Sequence, residues 1–480
     1  MLLRTGSLCC LGLYLSFAAA GGDSVAIASY QPTADRLIDA ALSDQEALAR
    51  LAYLCDHIGN RLSGSDSLNR AISWSAGQMK QAGLQNVTTI PVKVPHWVRG
   101  NESAALLTPV SRPLHMLGLG MSVGTPAGGI TADAVVVSTF DELDRLGEKV
   151  RGKIVVFNVP YEGYGKSVAF RAVGPSRAAK LGAVAVLVRS ITPLALQLPH
   201  TGALRYSDDS PKIPAAAITI EDATMLGRLQ AGGGTPRIHL EMAAHMEPDA
   251  DSADVVGEIP GSEHPEQVVV MGGHIDSWDV GQGAQDDGSG IMATLGAAAL
   301  IQRLGLKPKR TIRVAFWVNE ENGGRGGEAY RDWIGGKIKD HVAAIEMDEG
   351  AERPLGFGYG AFSLAAFLNP GGPAAAAPKS PEEEASRQLC RQIGQLLARV
   401  QATEVASFGG GSDIEPIVKL GVPSLSPATT AEHYFDWHHT QADTFDKIDP
   451  SDFRKNVAVL AVLSYVLADM PGRLAGSTAP

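Results

Sequence analysis

The chain has 480 residues, 45% apolar and 19% charged, with a net charge of −11 at pH 7. This composition supports two or three packed units and excludes a wholly disordered chain. The acidic balance excludes a general nucleic-acid binder, which needs a Lys/Arg surplus to meet phosphates.

Leu8 to Ala20 is an apolar stretch preceded by Arg4 and closing in Ala18-Ala19-Ala20. It is short for a bilayer-spanning helix, which needs about 20 residues. It fits a secretory signal peptide over residues 1–20; an uncleaved anchor is the alternative. The expectation is a secreted or periplasmic protein, free of the membrane once the leader is cleaved.

Ser43-Asp44-Gln45-Glu46 reads as a capping box opening a helix. Leu48, Leu51, Leu54 and Ile58 share one face of it, with Cys55 alongside. A strand-like run follows at Val87 to Val94. Between about 116 and 248 the texture changes. Short strand-like runs at Ala134–Val137, Ile154–Phe157, Ala183–Val188 and Ala215–Ile220 are separated by turns and short helices. Arg177 to Gly182 reads as a helix end closed by a glycine cap.

After residue 250 the pattern is α/β. Val268 to Met271 is a continuous apolar run, as in a strand buried on both faces. A helix then carries Ile291, Leu295, Ala298 and Leu304 on one side. Thr311–Val318 and Val342–Ile345 are further strands. Pro373 to Pro378 is a small-residue loop, Ser380-Pro381 starts a helix, and a last helix runs from about 450 to 468. Cys55 and Cys390, the two cysteines beyond the leader, read as buried apolar residues rather than a disulfide.

Each buried strand is followed by acids or histidine. The first delivers His274 and Asp276, the second Glu320 and Glu321, the third Asp348. Ligands of open α/β sheets bind at that carboxyl edge. Clustered carboxylates repel unless a cation joins them, and mixed His nitrogen and carboxylate oxygen suits zinc. Asp286 sits on the loop leaving the first of these strands, where one carboxylate can bridge two ions. His439 lies far downstream in His438-His439-Thr440-Gln441-Ala442-Asp443-Thr444.

The order His274-x-Asp276-Ser277, Asp286-x-x-Ser289-Gly290, Glu320-Glu321-x-Gly323, Asp348 and His439-x-x-x-Asp443-Thr444 resembles the co-catalytic di-zinc exopeptidases, which include aminopeptidases and glutamate carboxypeptidases. Gly59-Asn60-Arg61-Leu62-Ser63-Gly64-Ser65 and the paired His438-His439 most resemble the carboxypeptidase Q subfamily. The resemblance implies an α/β zinc-exopeptidase fold, with a mostly parallel mixed sheet flanked by helices. It implies a discontinuous catalytic domain over 24–115 and 249–472, and an inserted protease-associated domain over 116–248.

The resemblance also implies residue roles. His274 and Asp348 hold one Zn2+, Glu321 and His439 the second, and Asp286 bridges them. Asp276 steadies the His274 ring through its other nitrogen. Glu320 is the general base, taking a proton from a water whose pKa two cations lower. His438, Ser412 and Asp413 are candidate substrate contacts. The implied substrate is a dipeptide or short peptide, and the implied assembly a homodimer. A general aminopeptidase, an N-acyl amino acid amidohydrolase and a non-catalytic binding module on the same fold remain open alternatives.

Overall fold

A computed structural model describes residues 26–361 and 380–476. The expected leader at 1–20 and the expected Pro373–Pro378 loop lie outside the described residues.

The chain builds two eight-stranded sheets. The first runs in the order Gln85–Val98, His245–Ile259, Arg310–Trp317, His264–His274, His341–Glu346, Ser424–Thr429, Pro354–Tyr359, Glu404–Ala406. The predicted strands lie at its centre. His264–His274 pairs in parallel with both Arg310–Trp317 and His341–Glu346, and the latter in parallel with Ser424–Thr429. Antiparallel pairs complete both sides, so the sheet is mixed.

The continuous apolar runs reflect cover on both faces. Val269 and Met271 enter one core while Val268 and Val270 enter another. Ser289–Arg303 is apolar around most of its circumference because it lies between the sheet and the Pro450–Asp469 helix. Arg325–Ile334 supplies Tyr330 and Ile334 to the opposite face. Cys55 and Cys390 are buried and unbridged.

The second sheet runs Arg112–Leu114, Glu102–Thr108, Arg237–Met242, Ile130–Val137, Ile154–Phe157, Ala185–Arg189, Ala215–Ile218, Met116–Gly118. It draws in two strands N-terminal to residue 116. The two long strands Gln85–Val98 and His245–Ile259 connect it to the first sheet and pair with each other from Gln85↔Glu258 to Val98↔His245.

Two local readings change. Ser43 ends the Gln31–Ser43 helix, its hydroxyl bonded to the Asp39 and Ala40 carbonyls, so it opens no capping box. Asp44 caps the next helix instead, accepting from the Ala47 N–H at 2.9 Å. The Ala215–Ile220 run divides: the strand stops at Ile218, and Thr219 caps the helix that Ile220 begins. Apolar continuity hid that boundary, and the Thr219 hydroxyl accepting from Asp222 N–H sets it.

Candidate metal centre

The carboxyl ends of the three central strands bring five side chains together. His274 is the last residue of its strand and is fully buried. Its Nε2 lies 3.1 Å from Asp286 Oδ1 and 3.2 Å from Asp348 Oδ1. His439 Nε2 lies 3.2 Å from Asp286 Oδ2 and 3.1 Å from Glu321 Oε2. Asp286 thus faces His274 with Oδ1 and His439 with Oδ2, with His438 Nε2 a further 3.5 Å contact of Oδ2, at the centre of the donor groups. The donor atoms of His274, Asp286 and Glu321 all lie within 4.8 Å of one another.

Glu320 and Glu321 diverge although they are neighbours. Asn319 adopts a left-handed conformation, φ 68°, and turns the chain out of the strand. Glu321 then points to His439, while the Glu320 carboxylate accepts from the Ser412 hydroxyl. The Glu320 N–H donates to Asp276 Oδ1 at 3.2 Å.

Asp276 steadies the His274 ring by a different atom from the expected one. His274 Nδ1 lies 3.0 Å from the Asp276 main-chain carbonyl, and the nearest carboxylate oxygen is at 3.7 Å. The carboxylate is occupied with Glu320 N–H and the Ser63 hydroxyl.

Burial and mutual charge set the electrostatics. Burial, reinforced by Asp286, pushes the Glu321 carboxyl up to about 8. Burial likewise takes Asp348 up to about 7. Burial would raise Asp286 too, but bonds from His274 and His439 outweigh it and hold it well below the ordinary range. Burial pulls both imidazoles down, yet Asp348 beside His274 and Glu321 beside His439 hold them well above the usual value.

The cluster is braced from below. Asp443 accepts the N–H groups of Gln285 and Asp286 at 2.8 and 3.2 Å, and Asp287 those of His274 and Gly290 at 3.1 and 3.0 Å. Arg61 is fully buried, and its guanidinium donates to the carbonyls of Ile275, Gly59, Gln282 and Gly283 at 2.8–3.0 Å. This gives the early Gly-Asn-Arg motif a structural role: it clamps the loop between His274 and Asp286. The positioning by Asp443, Asp287 and Arg61 has no signal in spacing alone.

A cavity of about 770 Å³ opens over the donors. Glu320, Ser412 and His438 line it; Asp413 does not. Asp413 is buried, with its N–H directed at Glu346. His438 stacks on His439 with ring centres 3.5 Å apart. The second sheet's unit contributes Tyr164, Arg171 and Arg205 to the same cavity.

The residues fit metal. The Glu321 Oε1 atom is buried with no hydrogen-bond partner, and His274, His438 and His439 stand with Asp286, Asp287, Glu321 and Asp348 in overlapping groups of donors close enough to share an ion. A cation would satisfy the orphaned oxygen and offset the charge of the clustered carboxylates.

Fold and site together define a metallopeptidase with a binuclear-type donor cluster. The model of peptidase family M28 matches residues 254–464. Carboxypeptidase Q of Mus musculus is 41% identical over 447 residues, covering 92% of this chain and 91% of that protein. The Homo sapiens carboxypeptidase Q is 42% identical, covering 92% and 90%. The solved peptidase M28 precursor from Shewanella amazonensis SB2B superposes with a TM-score of 0.85 at 31% identity, covering 93% of this chain and 98% of that one. An aminopeptidase from Aneurinibacillus sp. strain AM-1 shares the fold with a TM-score of 0.63 at 22% identity, covering 93% and 98%. The chain belongs to peptidase family M28 and is a metallopeptidase similar to carboxypeptidase Q.

Proposed function

We propose that this chain is an exported di-zinc dipeptidase. His274 and Asp348 would hold one ion, Glu321 and His439 the other, with Asp286 shared between them. Glu320 is the general base. The observation that carries this reading is the divergence of Glu320 from Glu321: one carboxylate joins the donors, the other lines the cavity beside them.

Two zinc ions supply a Lewis acid for the scissile carbonyl and lower the pKa of the attacking water. The rest is the work of the chain. Glu320 takes the water proton and passes it to the leaving nitrogen. Ser412 and the Asp276-anchored main chain fix the orientation of that carboxylate. Tyr164 and His438 form part of the cavity wall beside the donors.

Arg171 favours a short substrate with a free carboxylate. Its side chain lines the cavity and is buried; Nη1 donates to the Thr201 carbonyl at 3.2 Å and Nη2 to the Tyr164 hydroxyl at 2.7 Å, but no carboxylate lies within ion-pair distance among the described residues, and Nε has no partner. A buried guanidinium without an acid is costly, and a substrate carboxylate relieves it. Arg205 lines the same cavity. The unit that supplies both is read as a protease-associated domain, residues 1–20 as the export signal, and the assembly as a homodimer.

The test is metal content by mass spectrometry together with turnover of free, N-acetylated and C-amidated dipeptides and aminoacyl chromogens. About two zinc per chain and chelator-sensitive cleavage of free dipeptides support the reading. Preference for aminoacyl chromogens indicates an aminopeptidase, and preference for acetylated substrates an N-acyl amino acid amidohydrolase. Absence of both metal and turnover after reloading leaves a binding module.

A further inference from the structure

The two histidines of the centre are held in the same manner from different places. His274 Nδ1 meets the carbonyl of Asp276, on its own loop. His439 Nδ1 meets the carbonyl of Thr201, which belongs to the second sheet's unit, at 3.3 Å. Thr201 also returns its own N–H to the His439 carbonyl at 3.0 Å. The pair of main-chain contacts fixes both the backbone of His439, φ 60°, and the face its ring presents. A ligand histidine whose Nδ1 is bonded to a carbonyl directs its Nε2 lone pair at the metal.

Thr201 is in turn held by a buried junction. Its hydroxyl donates to the Gly118 carbonyl at 2.7 Å. Arg99, at the entrance to the second unit, donates to that same carbonyl and, through Nε and Nη2, to both oxygens of Asp279 at 2.8 and 2.6 Å. Asp279 stands on the loop between Asp276 and Asp286, so one arginine joins the inserted unit to the metal loop. Close contact is demanded on both sides. A Cβ at Gly120 would fall 2.0 Å from the Trp278 ring, which itself packs against His439.

We infer that the inserted unit completes the metal centre: Thr201 and the Arg99–Asp279 pair are positioning groups for His439, so affinity for the ion at Glu321 and His439 depends on how this unit is seated. The inference rests on the reading of His439 as a metal ligand. Thr201 separates the two ions, since its main-chain contacts reach His439, whereas the main-chain partner of His274 lies within that residue's own loop.

The full chain is stripped, then reloaded with Zn2+, and the affinity of each ion is measured by chelator competition. Co2+ absorption gives a second view of the ligand field. Arg99→Met and Thr201→Val are compared with the parent protein, with thermal unfolding as the check on folding. The expected result is one ion weakened roughly 10–100-fold, the usual cost of losing an outer partner of a ligand, and the other unchanged. If Arg99→Met does not fold, Thr201→Val, a near-isosteric change, carries the test alone. Two ions held as tightly as in the parent overturn the inference, as does equal weakening of both. A parent protein that binds fewer than two ions overturns the reading of the centre itself, and the inference with it.

Discussion

The Glu320 N–H and the Asp276 carboxylate are 3.2 Å apart, which ties the backbone of the proposed base to the residue that also steadies His274. The Glu320 side chain can therefore be altered without disturbing the donors. Glu320→Gln keeps the shape and loses the proton acceptor. It is expected to lower kcat by about 10²–10⁴-fold, with metal content by mass spectrometry unchanged. Parent-like turnover would remove Glu320 from the chemistry.

Arg171→Gln tests the carboxylate anchor. A charge-assisted hydrogen bond contributes roughly 1.5–3 kcal/mol, so KM for free dipeptides should rise about ten- to a hundredfold. C-amidated dipeptides, which lack the charge, should show little change. An equal rise for both substrate types would give Arg171 a purely structural role.

The stripped protein should lose stability as pH rises from about 4, where the unfolded carboxyls release their protons, to about 8. Asp348 and Asp443 are raised by burial to about 7 and Glu321 to about 8, all above their ordinary values. The folded state therefore holds protons that the unfolded chain has already released, and each contribution is lost as pH passes the folded value. His274 and His439, held above their ordinary value, act in the same direction. Thermal unfolding in chelator should give a falling Tm across that window. Added zinc should flatten the slope, because a cation stabilises the carboxylates that protons otherwise occupy.

Arg61→Met should destabilise the fold while leaving no cavity of note. Four carbonyls lose their donor, and each buried unsatisfied group costs about 1–3 kcal/mol. Relaxation and water entry will reduce the sum, so we expect a loss of roughly 3–5 kcal/mol, measured by urea unfolding of the zinc-free chain. A loss below about 0.5 kcal/mol, the range of surface changes, would show that water replaces the guanidinium.

Much of this architecture was legible. The three apolar runs ending in His274, Glu320-Glu321 and Asp348 identified the centre of the sheet and the edge where the candidate donors gather, because burial on both faces and a polar terminus leave a local pattern. Asp286 and His439 were legible through motif order. The atom that steadies His274 was not, since a main-chain carbonyl has no residue type. Thr201 was invisible for a related reason: its partner is 238 positions away, and the contact is made by backbone. Arg171 and Arg205 carry no periodic or motif signal, and the second sheet's first two strands fell outside the expected boundary because their pairing is with distant partners.

The paired strands that carry the inserted unit have a practical consequence. Val98 and His245 face each other across the ladder at the point where the chain departs and returns. A two-residue hairpin turn spans such a gap, so residues 99–244 can be excised and the first sheet closed without shifting the register of any remaining strand. The product should fold as a minimal catalytic core. It would lack the carbonyl behind His439, the roof of the cavity and both arginines, leaving a scaffold with one well-made ion position and an open, unselective face.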